Sequence, residues 1–346
     1  MRLVPTRLLT LLLVLGCATP SPPPASPEPA PSASPPPTVV PSFESSDLAV
    51  APLPSASSAA RAPAESPPVA PSETKLTLLE PGKEPRQKLR FRFSTRPETM
   101  VMDLKTRVRA RTREQSAPEI SLPTLRTVIG LVPAKVSAAG DLTFDGQVKR
   151  TELLGDTQLP AEAKNELKQQ LDQLVGLKIH GVVTARCLMQ ELSVDLPPKS
   201  DPQVGQTVES IRESLRNLCV PFPEEPVGPG ARWQVDTTAM APIRIAQKTV
   251  FSLRSVTAKS AELEAKVEQS APRQKVSTAG LPAGASTELE SLKGRGESKV
   301  TSTFSQLVPV SRMSLDNDTV TNIEQDGKQV RVNTTLHMEM SIRPGQ

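Results

Sequence analysis

Val330, Val332, Thr334, Leu336, Met338, Met340 and Ile342 stand at alternate positions near the end of the chain, with polar or charged residues between most of them. A period of two puts one set on a buried face and the other in water, so this stretch predicts a long, half-buried terminal strand. Asp326-Gly327 just before it is a hairpin signal that joins it to a strand over residues 310–323. A further strand is predicted over 297–307. Val250–Val256 and Glu262–Val267 predict another hairpin, turning near Ala258-Lys259-Ser260. Residues 271–296 show no period and predict a loop.

The same alternation recurs earlier. Lys75–Leu79 reads as a strand followed by a Pro81-Gly82 turn. Leu89, Phe91 and Phe93 alternate with Lys88, Arg90 and Arg92. Beyond Arg96-Pro97, the residues Met100, Met102, Leu104, Val108 and Ala110 share one face. Setting Phe93 against Met100, Phe91 against Met102 and Leu89 against Leu104 buries all six, which predicts an antiparallel hairpin with Arg90 opposite Asp103. Leu177, Ile179, Val183, Ala185 and Cys187 predict one more strand.

Helical spacing occurs twice. Leu167, Leu171, Leu174 and Val175 follow Pro160, and Val208, Ile211, Leu215 and Leu218 follow Ser200-Asp201, a plausible cap. The expected fold class is α+β: a strongly curved antiparallel sheet, an open half-barrel of about ten strands, with two covering helices.

The first 72 residues differ in kind. Residues 18–72 carry 17 of the 37 prolines, with Ala and Ser and few charges. Such a segment cannot bury enough surface to fold and predicts a disordered linker. At ~3.1 Å per residue its fully extended reach is on the order of 170 Å. Before it, Arg2 and Arg7 precede the apolar run Leu8–Leu15, too short to span a bilayer and of signal-peptide length. The expected organisation is therefore a leader over 1–16, a linker over 17–72 and one folded domain over 73–346.

Val14-Leu15-Gly16-Cys17 resembles the bacterial lipobox. The resemblance implies cleavage after Gly16, acylation of Cys17 by a diacylglyceryl group and palmitate-type chains at the new N-terminus. One chain binds a membrane only marginally, whereas two or three anchor stably at ~0.8 kcal/mol per buried methylene. Ala18 in place of Asp implies an outer-membrane address facing the periplasm.

Composition narrows the chemistry. Without Arg2 and Arg7 the formal charge of +4 falls close to neutral, so global charge selects no partner. One Trp, seven Phe and no Tyr leave little for base stacking, and no nucleic-acid partner is expected. Of the three cysteines, Cys17 is assigned to lipid; Cys187 and Cys219 remain, as a disulfide or as two buried thiols. A bridge would close a loop of ~33 residues, for which chain entropy predicts up to ~3.7 kcal/mol.

No Gly-x-Ser-x-Gly elbow, His-Glu-x-x-His helix or phosphate-cradling Gly-Lys-Ser/Thr loop is present. His180 and His337 fall on outward strand positions. Asp316, Asp318, Glu324 and Asp326 lack the Gly and bidentate Glu of a calcium loop. No catalytic residue, cofactor or metal is expected. Two polar or apolar surfaces stand out instead. Lys105, Arg107, Arg109, Arg111 and Arg113 form an outward basic ridge suited to an anionic or acidic envelope partner, unless a neighbouring strand carrying Glu262, Glu264 and Glu268 neutralises it. Lys88, Arg90 and Arg92 are expected beside its base. Met100, Met102, Met338 and Met340 would line an adaptable apolar face for a lipid or acyl chain.

Phe222-Pro-Glu-Glu-Pro-Val-Gly-Pro-Gly-Ala-Arg-Trp233 resembles a phrase, Pro-x-x-Pro-Val-x-x-Gly-x-x-Trp, of an uncharacterised bacterial lipoprotein family. The likeness spans residues 85–346 and implies no activity. The order of strands and helices is also similar to that of periplasmic lipoprotein-carrier half-barrels, a likeness of fold alone. The functional expectation is a lipid-anchored envelope lipoprotein, a non-catalytic binding or carrier module for an apolar ligand. The alternative is an envelope interaction protein with a filled core, acting through the basic ridge.

Overall fold

A computed structural model describes residues 74–346 except 114, 156–158, 196–207, 209–210, 213–214, 217, 241–242, 277–285, 326 and 346. The leader, Cys17 and the linker lie outside the described residues. The strands are β1 (Lys75–Glu80), β2 (Glu98–Arg111), β3 (Ile120–Ser121), β4 (Thr124–Val136) and β5 (Leu142–Leu154), then helix α1 (Ala161–Asp172). There follow β6 (Lys178–Val183), β7 (Met189–Asp195), β8 (Arg232–Met240), β9 (Arg244–Val256), β10 (Ser260–Ala271), β11 (Gln274–Val276), β12 (Ser286–Thr303), β13 (Val310–Gln325) and β14 (Lys328–Pro344).

They form one antiparallel sheet of 14 strands in the order β1-β8-β9-β10-β12-β13-β14-β2-β4-β5-β6-β7, with β11 on β12 and β3 on β2. The sheet is not closed; β1 and β7 are its ends. It bends round its core, because Trp233 of β8 and Phe144 of β5, from opposite halves of the order, pack into the same cluster.

The count of about ten strands is corrected to 14. Residues 124–154 supply the long pair β4–β5, whose period is broken by register shifts at Val128/Ile129 and Pro133/Lys135. A bulge exchanges the two faces, so alternation across it cancels. The expected loop at 271–296 is corrected likewise. Ser286 onward is β12, disguised by a shift between Leu289 and Ser291 and by Gly294 and Gly296 at inner positions.

The expected hairpin of Leu89–Phe93 on Met100–Leu104 does not form. β2 pairs with β14 and β4 instead, and Asp103 lies opposite Arg126 rather than Arg90. The Leu89–Phe93 segment crosses the core as a plug. Phe91 N donates to Ala185 O (2.7 Å), Arg92 N to Phe304 O (2.7 Å) and Ser94 N to Ser305 O (2.9 Å). Leu89, Phe91 and Phe93 are buried among Phe222, Phe304 and Trp233. An apolar period of two fits either role; long-range backbone partners decide between them.

One bounded helix, α1, is present among the described residues where two were expected. It starts after Pro160 and packs Leu171 into the core. Of the second segment, Val208, Ile211, Arg212, Leu215 and Arg216 are helical, Leu218 is a buried residue in a bend beyond them, and 209–210, 213–214 and 217 lie outside the described residues.

Every described Phe and the sole Trp gather in this one cluster, Phe251 at its margin. Trp233 is fully buried, stacks on Phe251 at 5.8 Å and donates from Nε1 to Pro221 O at 2.9 Å. The Pro-Val-Gly phrase is a clamp on the chain before β2. Val227 and Gln87 exchange backbone hydrogen bonds, Gly228 N donates to Pro81 O, and Lys83 N donates to Pro229 O. A Cβ on Gly228 would lie 1.9 Å from Lys83 O, so only glycine admits this approach.

Candidate functional site

The sheet's inner face is divided. Its proximal part is filled by the chain's own aromatic cluster. Met100 is 2% exposed inside it, and Met102 and Met340 pack against it. These three methionines are brought together by register, Met100 opposite Pro344 and Met102 opposite Ile342, and serve as core. Met338, half-buried, stands at the boundary.

Beyond Met338 the same face continues along the long strands. Val108 of β2, Leu336 and Val332 of β14, Leu315 of β13 and Val267 of β10 are all buried. They belong to neither of the two packed clusters that the described residues form. Leu336 lies opposite Val108, and Met338 opposite Leu315, so the stripe is continuous across three strands. Polar residues are set into it: Asn317, Thr319, Thr321, Thr334 and Thr287 are buried. Among the described residues, Asn317 Oδ1, Thr319 Oγ1 and Thr287 Oγ1 have no hydrogen-bond partner. Left unpaired, each such atom costs on the order of 1–3 kcal/mol. These threonines carried no legible signal, because Thr suits strands on either face.

The basic ridge is partly compensated, and not by the expected strand. Glu262, Glu264 and Glu268 lie on β10, and β12, β13 and β14 separate it from β2. Instead Glu339 of β14 is 3.9 Å from Lys105 and 3.7 Å from Arg107, and Glu119 is 4.0 Å from Arg107. Arg109 and Arg111 face the neutral Thr335 and Asn333. Arg113 lies past the end of β2. Arg90 is not at the ridge's base; its guanidinium pairs with Glu224 at 2.9 Å and donates to Pro223 O.

Cys187 and Cys219 are disulfide-bonded, with Cα atoms 6.0 Å apart. Cys187 is not a strand residue: it closes a turn after β6 with φ 62°, donating to Thr184 O. His180 Nδ1 is 2.9 Å from Asp145 Oδ1, and His337 Nδ1 is 2.6 Å from Asp316 Oδ1, both on the outer face. Asp318 accepts from Thr335 Oγ1. Asp316 and Asp318 are thus held by neighbouring side chains, and Asp326 lies outside the described residues. Among the described residues, no group of three His, Cys, Asp or Glu side chains is placed to hold a metal.

On the outer face a trough of about 1020 Å³ crosses the middle of the long strands. Its floor is charged and hydroxyl-bearing, with Glu264, Lys299, Arg312, Ser341 and Asp103 in successive register. This site escaped sequence reading because its residues come from separate strands and meet only through pairing.

No family model matches this chain. No curated protein is significantly similar to it. Among solved structures, the outer membrane protein OmpT of Vibrio cholerae aligns over 71% of this chain and 99% of its own, at 8% identity and a TM-score of 0.16. OccK8 (OprE) of Pseudomonas aeruginosa aligns over 73% and 100%, at 6% identity and a TM-score of 0.18. Superpositions this poor carry no argument about fold or function.

Proposed function

We propose that this chain is a lipid-anchored lipoprotein of the bacterial cell envelope, at the outer membrane facing the periplasm, that holds an acyl chain or similar apolar ligand without catalysis. The carrying observation is the buried stripe Val108, Leu336, Leu315 and Val267, apolar yet outside both packed clusters. The methionine-lined part of the face is core, so the ligand-holding face lies further along the strands, from Met338 towards Val332. The lipobox-like Val14–Cys17 supports the anchor, and the Pro-rich linker supports a domain that moves away from the lipid surface.

Native mass spectrometry of the full chain made in a periplasm, with organic extraction of bound material, tests the reading. A stoichiometric lipid lost in Leu336→Asp, with the fold kept, is the expected result. A clean mass, with no uptake of a fluorescent fatty acid by the same sample, would overturn it. Cys17→Ser is expected to release the protein from the membrane fraction. Membrane retention without acylation would reject the anchor.

The second reading, an interaction protein acting through its outer face, is favoured by Arg109 and Arg111, whose cross-strand neighbours are neutral. Salt-sensitive binding to an acidic envelope protein, lost in an Arg109→Gln, Arg111→Gln variant, would distinguish it.

A further inference from the structure

The outer-face trough has a charge imbalance that its own residues do not resolve. One row across it runs Glu264, Lys299, Arg312, Ser341, Asp103, Arg126, each directly opposite the next. The row is closed at both ends by arginine–carboxylate pairs. Arg254 Nε donates to Glu264 Oε2 at 2.9 Å, and Arg126 grips Asp103 through Nε (2.6 Å) and Nη2 (2.8 Å). The adjacent row runs Lys266, Glu297, Ser314, Glu339, Lys105. There Glu297 faces Lys266, and Glu339 is held by Lys105 and Arg107.

The lining holds six cations, Lys105, Arg126, Arg254, Lys266, Lys299 and Arg312, against four carboxylates, Asp103, Glu264, Glu297 and Glu339, and neither Lys299 nor Arg312 forms an ion pair among the described residues. These two lie directly opposite each other on the floor. The Arg312 side chain makes no hydrogen bond or ion pair among the described residues, and Lys299 lies opposite Glu264, which Arg254 already holds. Like charges directly opposite on a sheet are destabilising. A binding site commonly carries such a cost, which the ligand relieves.

We propose that this trough binds a phosphate ester, its phosphate seated over Lys299 and Arg312. The guanidinium offers a fork to two phosphate oxygens, the ammonium a point charge to a third. Ser341 and Ser314, opposite and beside Arg312, add hydroxyl donors. Four donors around one point suit a tetrahedral phosphate better than a planar carboxylate. The rest of the lining carries no aromatic ring and sets charged and hydroxyl side chains among Leu154, Val250 and Met313, which suits a small polyol with an aliphatic backbone as the bearer of the phosphate: a glycerol or sugar, free or as a phospholipid headgroup. The site is on the opposite face from the apolar stripe and does not depend on the acyl-chain reading.

The test uses the full chain in zwitterionic detergent, titrated at low salt with sn-glycerol 3-phosphate and followed by phosphorus NMR. In parallel, zwitterionic vesicles with and without phosphatidylglycerol are used in a flotation assay. Saturable binding of the soluble ester, weakened about tenfold by Arg312→Gln and partly restored by Arg312→Lys, is expected. Lys248→Gln, on β9 outside the trough, should leave it unchanged. Arg312→Gln should also raise the melting temperature of the free protein, because it removes the like-charge contact; a merely structural arginine would lower it. Binding to phosphatidylglycerol vesicles alone, with the same Arg312 dependence, assigns the phosphate to a headgroup. Binding to neither probe, or binding indifferent to both Lys299→Gln and Arg312→Gln, overturns the proposal.

Discussion

Asp103 on β2 and Arg126 on β4 face each other in register and share two hydrogen bonds, of 2.6 and 2.8 Å. Both side chains are less than a third exposed. The guanidinium's hydrogen bonds hold the Asp103 carboxyl below the usual aspartate range. A depressed folded value means that the pair's stabilisation is complete above the unfolded pKa of ~3.9 and is lost as pH falls through the folded one. Asp103→Asn should therefore cost roughly 1 kcal/mol at neutral pH. It should also flatten the acid limb of stability below about pH 4. Urea midpoints at neutral pH and near pH 3 measure both; an unchanged acid limb would reject this role.

Glu98 behaves in the opposite sense. Its carboxylate accepts from Leu307 N (2.9 Å) and Val308 N (3.0 Å), tying the start of β2 to the turn before β13. Burial raises its pKa, outweighing those two bonds. A raised folded value means that the fold binds a proton more tightly than the unfolded chain. Its contribution thus declines as pH rises from ~4.3, the unfolded value, through the folded one. Glu98→Ala should destabilise by about 1–3 kcal/mol, since two amides lose their acceptor. Glu98→Gln should be milder and should remove the decline, as seen in thermal melts across mildly acidic pH.

The Cys187–Cys219 bond joins the turn after β6 to the segment that leads into Phe222. Chain entropy for a loop of this size makes its loss worth roughly 3 kcal/mol. Reduction, or Cys187→Ser with Cys219→Ser, should lower the urea midpoint accordingly. Intact mass after alkylation without reductant should show both thiols protected; two alkylated thiols would reject the bond.

Gly228→Ala should be among the most damaging single changes. Its Cβ would press on Lys83 O, Pro85 O and the Lys83 carbonyl carbon, all backbone that cannot swing aside. The clamp would open and expose the cluster round Trp233. The loss should reach several kcal/mol, the tail reserved for backbone conflicts in a packed core. Trp233, the single tryptophan, reports it directly: its emission should shift to the red in the folded-state buffer. An unshifted spectrum would remove the clamp's importance.

The amino-acid order alone determined a good deal. Strict alternation from Val330 to Ile342, with Asp326-Gly327 before it, specified β14 and its hairpin with β13, because a one-residue slip would turn the buried face to water and a short turn fixes the remaining choice. The hairpin of β9 and β10 was legible for the same reason.

Tertiary structure alone decided the rest. Leu89, Phe91 and Phe93 alternate as a strand does, yet the amides of Phe91, Arg92 and Ser94 find Ala185, Phe304 and Ser305 and make the segment a plug. Bulges in β4, β5 and β12 hid long strands by exchanging faces midway. The basic ridge was visible, but its counter-charges were not, because Glu339 and Glu119 reach it only through pairing. The Lys299 and Arg312 surplus is of the same kind. Local sequence sets which face of a strand is wet, whereas strand order sets which charges meet there, and strand order is settled by contacts far apart in the chain.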